Sequence, residues 1–340
     1  MRWDLFCNVI DNHGDVGVCW RLARELGERG HEVRLWIDDA SALAWMAPQG
    51  HPRVAVMPWD AARSAGDPAE VVVEAFGCNP PGEFIDRLAP GSTWLNLEYL
   101  SAEPYVERSH GLRSPVREGI DKFFFYPGFT PRTGGLLREA DFDARRAAFD
   151  PVAWLRTQGV EPGDATRISL FCYEPEALAA LVAQLAAGPR RTQLLVTAGR
   201  AAEALRKVLR PSTGNLAVHW LPLLSQRDYD HLLWSCDINF VRGEDSFVRA
   251  IWAGRPFVWQ IYPQHDGAHV AKLETFLEWL APPPALRDFF RVWNGVAQGA
   301  LPRLEPAQWQ ATAEAAAQRA RAIPELATAL EQFVRKRGRI

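Results

Sequence analysis

Asp11-Asn12-His13-Gly14-Asp15-Val16-Gly17-Val18-Cys19-Trp20-Arg21-Leu22-Ala23-Arg24 follows a strand-like stretch at residues 3–10 and runs directly into a helical pattern over 17–29. Val18, Leu22 and Leu26 recur at the helical period, and Gly30 stands where such a helix closes. This is a strand–loop–helix unit at the start of the chain. In an open α/β sheet its loop lies at the carboxyl edge of the strands, where ligands bind. Gly14 and Gly17 allow close approach of backbone to a ligand. Asp11 and Asp15 would repel a phosphate there, so the loop suits a cationic or hydroxylated ligand.

Working outward, strands are expected at 32–37, 71–76, 93–97 and 123–126. A polar, Gly/Pro-containing connection follows at 150–164. The alternation then restarts, with strands at 167–173, 193–197, 216–220, 237–241 and 256–261. Helices separate them at 176–185, 201–209, 226–235 and 245–253, and the chain from His265 is largely helical in pattern. Two such series imply two doubly wound domains facing each other across a cleft. The expected division is 1–155, 165–325, and 326–340 as the end of a C-terminal helix able to pack back on the first domain.

Composition narrows the field. The 340 residues suffice for two domains, each with a full core. A net charge of -3 gives no bulk electrostatic case for nucleic acid. The five cysteines are odd in number, never form a Cys-x-x-Cys pair, and lie mostly in apolar stretches, as in a reducing compartment. With no signal-peptide layout and no apolar run long enough to span a bilayer, the chain is expected to be cytoplasmic, without membrane partners.

A second constellation repeats the first. In Asp237-Ile238-Asn239-Phe240-Val241-Arg242-Gly243-Glu244-Asp245-Ser246-Phe247-Val248-Arg249 an apolar strand ends, a glycine turns, and polar residues start a helix. A helix N-terminus attracts anions, Arg242 suits a pyrophosphate, and Ser246 can donate a further bond. Glu244 and Asp245 suit sugar hydroxyls or a cationic group, although Asp245 and Ser246 could equally serve only as helix caps. Phe171 and Tyr173, at the carboxyl end of one strand, could stack on a nucleobase. Gln226 and Tyr229 could present an amide and a ring to its edge, and Tyr262 ends another strand at the same edge. His265, Asp266 and His269 are too sparse for a metal site and read better as a polar loop. No metal or cofactor is expected.

The two long motifs, with Phe171-Cys172-Tyr173 and Ile261-Tyr262-Pro263-Gln264, resemble the protein-arginine rhamnosyltransferases of the EarP family over essentially the whole chain. The resemblance implies a GT-B-type fold of two facing Rossmann-like domains with a central cleft. It implies inverting, metal-independent transfer of L-rhamnose from TDP-β-L-rhamnose to an arginine of translation elongation factor P, which then rescues polyproline-stalled ribosomes. It also implies Asp11 and Asp15 as catalytic carboxylates, with Asp15 as general base, and Glu244 as a third essential acid. Donor-binding residues by the same resemblance are Asn12, Gly14, Phe171, Tyr173, Gln226, Tyr229, Arg242, Gly243, Asp245, Ser246 and Tyr262. Leu223 stands where the family often has an aromatic beside the base, and His13 where Tyr or Phe is common. Alternative readings are a non-catalytic nucleotide-sugar-binding adaptor of elongation factor P, or a GT-B enzyme with another donor and acceptor. The first loop lacks the glycine fingerprint of a dinucleotide-dependent dehydrogenase.

Overall fold

The computed structural model describes residues 1–10, 13–211, 213–264 and 267–337. The chain divides into two compact units, Met1–Phe142 together with the chain from Ala320 onward, and Asp143–Arg319.

The first unit contains β1 (Arg2–Cys7), α1 (Gly14–Glu28), β2 (Glu32–Ile37), α2 (Leu43–Met46), β3 (Val54–Pro58), β4 (Val71–Ala75), α3 (Gly82–Ile85), β5 (Thr93–Leu97), α4 (Tyr105–Ser109), β6 (Arg113–Arg117) and β7 (Ile120–Phe125). Its sheet runs β3-β2-β1-β4-β5-β7-β6, and only the β6–β7 pair is antiparallel. The strands β4 and β5 are buried along their whole length, as expected of parallel strands covered on both faces. β1 carries a charge into this core, and the charge is answered. Asp4 is fully buried, accepts two bonds of 2.6 Å from Arg34, one of 2.8 Å from the Trp36 indole and one of 2.7 Å from the Ala69 amide.

The second unit holds most of α5 (Phe142–Ala147), then α6 (Pro151–Thr157), β8 (Thr166–Leu170), α7 (Leu178–Ala187), β9 (Thr192–Val196), α8 (Arg200–Val208), β10 (Leu216–Trp220), α9 (Gln226–Ser235), β11 (Ile238–Arg242), α10 (Asp245–Ala253), β12 (Phe257–Gln260), α11 (Ala268–Leu280) and α12 (Pro284–Trp293). Its sheet is parallel throughout, in the order β10-β9-β8-β11-β12. The division falls near the end of α13 (Pro306–Arg321), and α14 (Leu326–Arg337) belongs to the first unit. There Arg29, at the C-cap of α1, bonds Glu331 at 2.8 Å and the Thr328 hydroxyl at 2.9 Å, and also pairs with Glu325.

The polar stretch at 150–164 is not simply a connection. Asp150 caps α6 by accepting from the Val152 and Ala153 amides at 2.9 and 3.1 Å, and Pro151 occupies the first turn. Trp154 and Leu155 then bury against Leu195, Leu221 and Leu232 of the second unit. Two strands escaped the sequence reading: β3, largely exposed, and β6, polar and antiparallel at an edge.

Both sheets reverse their strand order beside their first strand, between β1 and β4 and between β8 and β11. These are the topological switch points, where a crevice opens outside the carboxyl ends of the strands. α1, with Asp15 in its first turn, follows β1. Phe171–Tyr173 leaves β8, and Gly243–Asp245 leaves β11.

Candidate active site

At the first switch point, α1 starts at Gly14, so Asp15 sits in the first helical turn rather than in the preceding loop. Asp15 is only 3% exposed. Oδ2 accepts the Ile10 amide at 2.9 Å, which ties the end of β1 to the start of the helix. His13, which precedes the helix, meets the Trp45 ring edge-on with centroids 5.1 Å apart. Asp11 and Asn12 lie outside the described residues, as do His265 and Asp266.

The second switch point brings together most of the residues expected there. The Arg242 guanidinium lies 4.5 Å from the Phe171 ring centroid and 4.4 Å from that of Tyr173. Phe171 meets Tyr229 edge-on at 5.5 Å, and Tyr173 meets Tyr262 in the same way at 5.5 Å. The rings assigned to a base therefore also stack on the arginine assigned to the pyrophosphate, an arrangement sequence does not show. Cation–π contact is stronger in a desolvated site, and Arg242 and Tyr173 are both buried. Burial pushes the Tyr229 phenol well above its ordinary ionisation, so it stays a neutral hydroxyl.

The turn after β11 is built on a glycine that the geometry requires. Gly243 has φ of +65°, in the left-handed region that side chains disfavour. Its carbonyl accepts the Trp259 indole at 2.9 Å. Glu244 takes the N-cap position of α10 without a side-chain cap bond, and Asp245 begins the helix. The Ser246 hydroxyl accepts the Arg242 amide at 3.1 Å and donates to the Arg242 carbonyl, closing the turn on itself. Gln226 of α9 reaches Asp245 Oδ2 at 3.4 Å, which links the two helix starts.

Some residues at these edges were not singled out from sequence. Gln260, at the end of β12, accepts the Tyr173 amide at 2.8 Å. Asn294 braces the next turn by accepting the Ile261 amide and donating to the Trp259 carbonyl, each at 2.9 Å. Position at a strand's carboxyl end was the available signal for Gln260; Asn294 comes from a distant helix end and had none. Leu223 is exposed, in the loop that leads to α9. Among the described residues, no group of three or more His, Cys, Asp or Glu side chains could hold a metal ion. None of the described helices is long and apolar enough to cross a membrane.

Two parallel-sheet units whose ligand-facing turns carry a carboxylate in one and an arginine–aromatic cluster in the other define a glycosyltransferase of the GT-B class. Structural likeness agrees. The glycosyltransferase VinC, solved in complex with DTDP, shares the fold at 16% identity, with a TM-score of 0.57 over 100% of both chains. The solved structure describing EarP-mediated arginine glycosylation of translation elongation factor EF-P shares 34% identity and a TM-score of 0.70, over 98% of this chain and 99% of that one. Protein-arginine rhamnosyltransferases of Pseudomonas putida and Pseudomonas aeruginosa are 44% and 43% identical, over 98% and 97% of this chain and 98% of each relative. The family model described as elongation factor P (EF-P) rhamnosyltransferase EarP matches residues 3–335. The chain belongs to the EarP family.

Proposed function

We propose that this protein transfers L-rhamnose from TDP-β-L-rhamnose to an arginine side chain of translation elongation factor P in the cytoplasm, with inversion at the anomeric carbon and without a metal. Relatives named protein-arginine rhamnosyltransferase support the sugar and the acceptor group. The observation that carries the donor side is the Arg242, Phe171 and Tyr173 cluster beside the N-terminus of α10. It joins flat aromatic faces to a fixed cation and a positive helix end, the combination a nucleoside diphosphate needs.

In this reading Phe171, Tyr173, Gln226 and Tyr229 hold the thymine, while Arg242, Gly243, Asp245, Ser246 and Tyr262 hold ribose and pyrophosphate. Asn12 and Gly14 contribute to the donor from the first loop. A guanidinium is a poor nucleophile, because its charge is delocalised and its pKa exceeds about 12. Asp15 bonds one terminal nitrogen, localises its lone pair and takes its proton as the new C–N bond forms. Asp11 orients the guanidinium, and Glu244 steadies the oxocarbenium-like sugar. The C–O bond to the diphosphate breaks on the opposite face, which inverts the centre. The departing charge falls on Arg242 and the α10 amides, preorganised donors that need no divalent cation.

Intact-mass measurement of elongation factor P incubated with this protein and TDP-rhamnose tests the proposal. One added deoxyhexose on arginine is expected. An unmodified factor under conditions where the donor binds would refute it.

A further inference from the structure

The carboxyl end of β9 carries a cation that the proposed reaction leaves unused. Thr197 donates both its amide, at 3.1 Å, and its hydroxyl, at 3.0 Å, to the Leu170 carbonyl, which fixes the end of β9 to the end of β8 beside Phe171. Gly199 then turns the chain at φ of +84°, a conformation that side chains disfavour, and Arg200 opens α8. The Arg200 guanidinium lies 5.9 Å from the Tyr173 ring centroid, over the same ring that Arg242 meets at 4.4 Å. Both cations meet one ring, so they stand within about 10 Å of each other and repel, since ordinary salt screens that distance only in part. Arg200 is exposed, and among the described residues no carboxylate lies within ion-pair distance of it. Glu174, the acid beside Tyr173, is already engaged: Lys207 bonds it at 2.7 Å and, with Arg200 farther off, holds its carboxyl below the ordinary value. Arg206 of the same helix is set over Trp220 instead, 4.7 Å from that ring centroid.

An arginine with no carboxylate to answer it, held beside a second arginine, suits a phosphate that takes its open fork. Arg242 meets both Phe171 and Tyr173 and so stands nearer the rings assigned to the base, whereas of the two Arg200 meets Tyr173 alone. We propose that Arg200 holds the terminal phosphate of the donor's diphosphate, the one bonded to the sugar, while Arg242 holds the phosphate next to the nucleoside. When the bond from the anomeric carbon to the terminal phosphate's oxygen breaks, the electron pair stays on that oxygen and Arg200 offsets the added charge. The same contact makes the site choose a diphosphate over a monophosphate. The inference rests on the proposed function and adds to its donor site a residue of α8.

Arg200→Ala and Arg200→Lys test it, with Arg206→Ala as the control for a charge on the same helix outside the cluster. Calorimetry gives the affinities for TDP and for TMP. Arg200→Ala is expected to weaken TDP about tenfold, the loss of one charge-assisted contact, and TMP by less than about twofold, so the preference for the diphosphate falls. Arg200→Lys, which keeps the charge and loses the fork, should lie between wild type and the alanine variant. Arg206→Ala should stay within about twofold of wild type for both nucleotides. TDP affinity unchanged in Arg200→Ala, equal losses for TDP and TMP, or an equal loss in Arg206→Ala each overturns the phosphate contact and leaves the proposed function standing. If the affinities change as expected but wild type never rhamnosylates elongation factor P, the function falls and the contact stands. If TDP does not bind wild type, both fall.

Discussion

Replacing Arg249 with methionine probes how the second unit holds its ligand-facing turns. Arg249 of α10 and Asp230 of α9 form a two-bonded pair at 2.8 and 2.8 Å, each 1% exposed, with Arg145 adding a bond of 3.2 Å to Asp230. Asp230 directly follows Tyr229 and lies one turn after Gln226. Arg249 lies one turn after Asp245 and Ser246. The pair therefore sets the register of both helix starts that carry the proposed donor contacts. Methionine keeps most of the stem and removes the charge. Breaking a buried pair costs about 3–5 kcal/mol because the surviving ion stays desolvated. Arg145 still meets Asp230, which points to the lower end, about 3 kcal/mol. At about 2–4 °C per kcal/mol for a unit of this size, the melting temperature should fall by about 6–12 °C. Thermal denaturation by circular dichroism reads that shift. Calorimetry with TDP below the transition should show affinity lower by about tenfold, since the binding turns lose their common anchor. Arg249→Lys, which keeps the charge but not the fork, should fall between the two. A melting shift under 2 °C with unchanged TDP affinity would refute the reasoning.

Asp15→Asn should abolish transfer, by at least about 100-fold, and leave TDP affinity within a few-fold of wild type; near-normal turnover removes Asp15 from the base role. Arg242→Ala should weaken TDP binding about tenfold or more, the worth of a charge-assisted bond, and Ser246→Ala should weaken it less by loosening the turn that the Ser246 hydroxyl closes on the Arg242 backbone; unchanged affinity in calorimetry contradicts the donor assignment. The His231 imidazole, with the Ser225 hydroxyl and Trp154 indole, holds the Asp228 carboxyl down at about 2. A depressed carboxylate contributes stability that is complete above its ordinary value near 3.8 and is lost as pH falls through about 2. Asp228→Asn should therefore melt below wild type near neutral pH, and the gap should close between 3.8 and 2. A gap that stays constant over that window would show that the cap, not the charge, carries the effect.

Much of the architecture was legible along the chain. The central strands are apolar runs, and helices such as α9 announce themselves by a capping residue: Ser225 accepts the Asp228 amide at 3.1 Å and donates to its carboxylate at 2.7 Å. β6 was not legible because it is a polar edge strand, Arg113-Ser114-Pro115-Val116-Arg117, whereas β3 at the other edge is the apolar run Val54-Ala55-Val56-Met57-Pro58 and was missed although it carries an apolar signature. α6 was read as a polar connection because Asp150 and Pro151 look like loop residues until they are seen as the cap and first turn of a helix. The residues of both ligand-facing turns stood out because glycine and charge interrupt an apolar pattern at a strand's end.

By itself the sequence determined most of the segments that become strands and helices and which side chains fall at their junctions, since those choices rest on neighbours a few residues apart. Tertiary structure alone decided that β4 pairs with β1 and β11 with β8, and so that both motifs lie at switch points. It alone set Arg242 on Phe171 and Tyr173 and stacked Phe76 on Tyr99. These contacts join residues brought together by strand pairing, and pairing order follows from packing of the whole sheet, which no local pattern encodes.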